Sequence, residues 1–82
     1  MNNEKLNYDN REFVLNTIGV YCAITRLRKG ITQKMIASEL KCSPQNISLF
    51  EHGKVDSGII LFWYVKHGLL DILELWGEIA HG

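Results

Sequence analysis

The sequence predicts an all-α domain of five helices, and three observations carry that expectation. Apolar residues recur at intervals of three and four in successive segments, the spacing that gathers side chains on one face of a helix. Capping residues and glycines punctuate those segments: Thr32, Ser43 before Pro44, and Asp56 or Ser57 at starts, then Gly30, Gly53 and Gly68 at ends. The run Ile59 to Lys66 holds one charge and would be an aggregation hazard as an exposed strand, so it reads as a helix buried nearly all round.

Taken in order, residues 1–9 are polar apart from Met1, Leu6 and Tyr8, and are expected to form an N-terminal arm or a frayed terminus ahead of one domain over 10–82. The first helix is expected over 11–29, capped by Asp9 or Asn10, with Val14, Ile18, Tyr21, Cys22 and Thr25 on its inner face. Thr32 then caps a second helix that ends near Leu40 and carries Met35, Ile36 and Leu40 inward, with Ala37 small enough for close approach. Ser43 offers a hydroxyl cap, and Pro44 has a preset φ and no amide hydrogen to leave unpaired in the first turn of a third helix. Ile47 and Phe50 face inward together there, while Gln45, Asn46, Ser48 and Leu49 turn partly or wholly outward. The fourth helix runs through Ile59 to His67 and stops at Gly68. A fifth, from Leu69 or Leu70 to about Ile79, places Leu69, Ile72, Leu73 and Trp76 on one face.

The segment Ile31–Lys54 therefore reads as two short helices joined by a sharp turn, the second with polar side chains at its start. It resembles the Cro and phage-repressor (XRE-like) helix-turn-helix family, whose pattern runs roughly Leu-Thr-Gln, two variable residues, Leu-Ala, two more, Leu-Gly-Val-Ser, a helix with Ile-Ser, and a closing Glu-x-Gly-Lys. Thr32-Gln33, Ile36-Ala37, Leu40, Cys42-Ser43, Ile47-Ser48 and Glu51-His52-Gly53-Lys54 fall in register with it. The resemblance implies a five-helix lambda-repressor-like DNA-binding domain with the helix-turn-helix at helices 2 and 3 (core motif 31–54), and helices over 57–80 completing the core and a dimer interface. It also implies an ion pair of Arg26, seven residues before Gln33, with Glu51.

Two positions depart from the pattern. Lys41 stands where the family usually has Gly, so a left-handed backbone there would cost of order 1 kcal/mol. Leu49 stands where the family often places Arg or Gln; it can touch a thymine methyl but cannot hydrogen-bond a base.

By the same resemblance Gln33 bonds a phosphate and props the recognition helix, and Lys34, Lys41, Ser43, His52 and Lys54 are candidate phosphate contacts that fix orientation. Base edges would be read by Gln45, able to pair bidentately with adenine, by Asn46 or Ser48, and by Leu49 or the Pro44 ring through apolar contact. No arginine lies on that face, so an A·T-leaning site read partly through DNA shape is expected. The alternative for each polar residue is a solvated surface side chain.

A net charge of zero argues against nucleic acid until the charge is mapped. Residues 26–54 carry +4 from Arg26, Arg28, Lys29, Lys34, Lys41 and Lys54 against Glu39 and Glu51, while residues 1–25 carry −1 and residues 55–82 carry −3. Positive charge thus coincides with the motif, and predicts modest, strongly salt-dependent phosphate binding.

At 82 residues a single core is expected, marginal enough for dimerisation to help. A core this small has little room for Phe62, Trp63, Tyr64 and Trp76 together, which makes them candidates for a subunit interface. No apolar run approaches a membrane span of roughly 20 residues, and the N-terminus is too polar for a signal peptide, so a cytoplasmic protein without membrane contact is expected. Cys22 and Cys42 fit that compartment as free core thiols. His52, His67 and His81 lack metal-ligand spacing, and no nucleophile motif or phosphate loop supports catalysis, so no metal, cofactor or enzymatic activity is expected.

The reading is a dimeric, sequence-specific transcriptional regulator of phage, plasmid or mobile-element type, acting most simply as a repressor on a palindromic operator in double-stranded DNA. The alternative keeps the fold without the DNA, as a protein-interaction module such as an antirepressor or a modulator of a host factor. Zero net charge and an aromatic-rich C-terminal third suit that second reading.

Overall fold

Helix ends fall where capping groups and left-handed residues interrupt the backbone ladder, and five helices result. The structure, a computed structural model, describes the backbone of residues 3–81 and the side chains of residues 10–80. Its elements are α1 (Asn3–Arg28), α2 (Gln33–Leu40), α3 (Pro44–Glu51), α4 (Gly58–Lys66) and α5 (Ile72–His81), with no strand among the described residues. No helix among them is long and apolar enough to cross a membrane.

The first helix is longer than expected. Instead of an arm capped at Asp9 or Asn10, residues 3–9 continue α1, because the chain has no proline there and extending a helix adds one hydrogen bond per residue fixed, without a new nucleation cost. Met1 and Asn2 of the expected arm lie outside the described residues. A helix of 26 residues spans ~39 Å, which accounts for most of the 45 Å long axis of a molecule 23 × 16 Å across.

The four helix ends from α1 to α4 close in one way. A residue in the left-handed region lets the next N–H reach back five residues: Ile31 to Arg26, Cys42 to Ala37, Lys54 to Leu49 and Leu69 to Tyr64, at 2.9–3.1 Å. Gly30, Gly53 and Gly68 supply three of these turns, with φ near 70°. Lys41 supplies the fourth at φ 57°, ψ 46°, so the turn keeps its geometry without glycine. Lys41→Gly is expected to stabilise the fold by ~0.5–1 kcal/mol, the relief of left-handed strain less the entropy gained by the unfolded chain. Thermal unfolding should show a midpoint several degrees higher.

At the helix starts, Thr32 Oγ1 accepts from the Met35 N–H at 3.1 Å, and the Met35 sulfur folds back toward the Thr32 N–H at 3.5 Å. That fold turns Met35 outward, contrary to its expected inward place. Ser43 has the extended backbone of a cap, but its hydroxyl makes no capping bond; the Asn46 N–H bonds the Ser43 carbonyl at 3.0 Å instead, and Pro44 has no amide hydrogen to leave unpaired. Ser57 caps α4 through the Ile60 N–H at 3.2 Å. Asp71 Oδ1 accepts from the Leu73 and Glu74 N–H groups, so α5 starts at Ile72 and Leu69 and Leu70 become buried turn residues. The inner face of α5 is accordingly Leu75 with Ile79, and Ile72, Leu73 and Trp76 are exposed.

The core gathers Cys22 from α1, Ile36 and Ala37 from α2, Ile47 and Phe50 from α3, Ile60, Trp63 and Tyr64 from α4, and Leu69, Leu70 and Leu75. The α4 run is not buried all round: Ile60, Trp63 and Tyr64 face inward while Ile59 and Phe62 are mostly exposed. One layer of helices behind α4 covers only one side of it. Where α1 crosses the end of α3, Gly19 is buried against backbone. A Cβ there would overlap the Glu51 carbonyl oxygen and lie 2.7 Å from the Glu51 carbonyl carbon and 2.8 Å from the Phe50 oxygen.

Candidate nucleic-acid interface

The surface formed by the starts of α2 and α3 rests on a buried polar cluster. Arg26, near the end of α1, donates from Nε to Glu51 Oε2 at 2.6 Å and from Nη2 to Glu51 Oε1 at 3.0 Å, and its Nη1 reaches the Ile31 carbonyl at 2.9 Å. Both partners are more than nine-tenths buried, and the two-pronged geometry suits the planar guanidinium. Gln33 Nε2 donates to Glu51 Oε1 at 3.0 Å, and the Tyr64 hydroxyl donates to Glu51 Oε2. Glu51 thereby ties α3 to α1, α2 and α4 at once.

Electrostatics follow that geometry. Burial alone would raise the Glu51 carboxyl, but bonds from Arg26, Tyr64 and Gln33 outweigh it and hold the group below its ordinary value of 4.5. The bond to Glu51 raises Arg26 further, and burial followed by the bond to Glu51 raises Tyr64. Burial, then the nearby Glu51 charge, pushes the Cys22 thiol up to about 12, which keeps it protonated.

The expected Arg26–Glu51 pair is therefore present. Gln33 is half-buried with one amide hydrogen committed to Glu51, so its propping of α3 is visible in the geometry. Tyr64, expected at a subunit interface, is fully buried and belongs to the cluster. Trp63, expected at the same interface, is also buried, edge-on to Tyr64 at 5.3 Å and tilted against His67 with ring centres 4.3 Å apart. Both face inward because one turn of α4 aligns them with Ile60. Phe62 and Trp76 remain exposed.

Ahead of the cluster, Pro44, Gln45, Asn46 and Leu49 are exposed on α3 and Ser48 is half-buried. The exposed Ser43 hydroxyl, free of any capping bond, stands at the start of the same helix. Lys34 at the start of α2, Lys41 in the turn and Lys54 beyond α3 are exposed. His52 is exposed as well, but its Nδ1 lies 2.7 Å from the Ser48 carbonyl, a geometry that places the proton on Nδ1 and leaves Nε2 for another partner. Because Arg26 and Glu51 neutralise each other inside, the +4 of residues 26–54 is carried by exposed Arg28, Lys29, Lys34, Lys41 and Lys54 against Glu39.

Sequence reasoning missed Gly19 and the inward role of Tyr64. Neither has a local signal: a glycine inside a helix pattern reads only as a weak helix former, and a tyrosine in an apolar run reads as bulk. In comparisons with known proteins, no protein-family model, curated protein or solved structure matches the chain.

Proposed function

We propose that this chain is a sequence-specific DNA-binding regulator with a lambda-repressor-like helix-turn-helix, in which α2 lies across the phosphates and α3 enters the major groove. The observation that carries this reading is the exposed row Gln45, Asn46 and Leu49 on a helix locked from behind through Glu51. A rigid helix presenting polar ends without internal partners is what base readout requires. Gln45 pairs with an adenine, Asn46 or Ser48 with a neighbouring base, and Leu49 packs on a thymine methyl. Lys34, Lys41, Ser43, Lys54, His52 and the remaining donor of Gln33 hold phosphates.

A dimer on a two-fold symmetric operator follows from the small surface of one α3, and blocking of polymerase makes repression the simplest outcome. Carriage by a phage, plasmid or other mobile element, and action in the cytoplasm, belong to the same proposal. The second reading, a protein-interaction module, draws support from the exposed Ile59 and Phe62 on α4.

Fluorescence anisotropy with a selected duplex separates the two. Gln45→Ala is expected to weaken specific binding about tenfold or more and to relax preference at one base pair. Lys54→Ala should weaken all duplexes alike and lower the salt slope by about one. Absence of binding to any duplex at low salt, with capture of a defined protein partner instead, would favour the second reading.

A further inference from the structure

Helix α1 carries a second apolar stripe, opposite the face that packs on the core. Phe13, Val20, Ile24 and Leu27 are each at least two-fifths exposed, and with Thr17 they fall at intervals of 4, 3, 4 and 3 residues. That 3.5-residue period is the seam of a paired helix rather than the broader stripe of a helix lying on a domain. We propose that a second copy of this chain covers the stripe, with the two α1 helices antiparallel about a two-fold axis near Val20.

Three features point to a second copy. Under that axis the stripe is self-complementary, since Phe13 and Leu27 lie seven residues to either side of Val20 and each meets the other in the partner. Charge favours the antiparallel sense: exposed Glu12 at one end approaches Arg28 at the other, whereas a parallel pair would place Arg28 beside its own copy. The apolar surface also extends beyond α1. Phe13 lines grooves on both flanks of α5, one of about 500 Å³ with Val20 and Ile24 and one of about 440 Å³ with Trp76. The stripe thus continues onto Trp76.

The proposal deepens the dimeric reading above, but it concerns the protein without DNA. Sedimentation equilibrium on the full chain is expected to show a dimer by high micromolar concentration. Val20→Glu should weaken it at least a hundredfold with unchanged helicity, because this side chain is exposed in one chain and central in two. Phe62→Glu, on α4, should leave the dimer intact. A Val20→Cys variant in a Cys42→Ser background should oxidise to a covalent dimer. A Leu27→Cys variant should not, because its two copies would lie roughly 20 Å apart in the antiparallel pair. A monomeric wild type, a Val20→Glu dimer of wild-type strength, or loss of the dimer in Phe62→Glu would overturn the proposal. A dimer held elsewhere would leave the DNA reading standing, and failure to bind DNA by an intact α1 dimer would sink that reading alone.

Discussion

Arg26→Ala is expected to remove about 3–5 kcal/mol of stability, the cost of leaving a buried carboxylate without its ionic partner. Against the roughly 4–12 kcal/mol available to a chain of this size, the variant should be marginal or unfolded at room temperature. The loss combines two charge-assisted bonds to Glu51 with the bond to the Ile31 carbonyl. Adding Glu51→Gln should recover much of it, since a neutral amide buries no charge and can still accept from Tyr64 through its one oxygen while its NH2 group donates to a flipped Gln33 amide. Urea denaturation of the four proteins in this cycle should give a coupling of about 2 kcal/mol or more, and additive losses would contradict the account.

The same cluster sets a pH dependence. The Glu51 carboxyl is held below 4.5 when folded, so its contribution is complete above that value and is lost as pH falls through the lower folded value. Arg26 is raised and stays charged throughout that range. The wild-type urea midpoint should therefore fall below about pH 4.5, and Glu51→Gln should flatten that part of the curve.

Gly19→Ala is expected to cost about 2–3 kcal/mol, although alanine improves the helix itself by about 1 kcal/mol. The added methyl meets carbonyl groups of Phe50 and Glu51, backbone at the end of α3 that cannot rotate away. Gly77, within α5, has open space where its Cβ would sit, so Gly77→Ala should stabilise by ~0.5–1 kcal/mol. Opposite signs for one substitution in two helices, read by urea denaturation, would locate the α1–α3 crossing.

The boundaries of α2 and α3 were legible because they rest on local chemistry: the Thr32 cap, Pro44 at a first turn, and Gly53 closing α3. The Arg26–Glu51 pair was legible only through resemblance, since nothing local joins residues 25 positions apart. The start of α5 was misplaced because Asp71 caps it two residues later than the apolar pattern implies. Once α5 begins at Ile72, its face turns, and Trp76 goes to solvent while Leu75 goes to the core. Trp63 and Tyr64 looked like surplus bulk because composition counts aromatics without their phase along α4. The α1 stripe lay in plain sight at 3.5-residue spacing, but one apolar face already satisfied the expectation of a core helix. The polar front of α3 was readable in full, because exposure there follows from the inward phase of Ile47 and Phe50.

Selection of bound fragments from random duplex DNA at low salt, followed by salt titration of the winning site, is the decisive measurement of DNA recognition by α3. The recovered site should be A·T-leaning and two-fold symmetric, with half-sites about 34 Å apart or a multiple of it. Binding to that site should fall steeply as salt rises from about 50 to 200 mM. Recovery of no enriched sequence, with no duplex retained even at low salt, would contradict it.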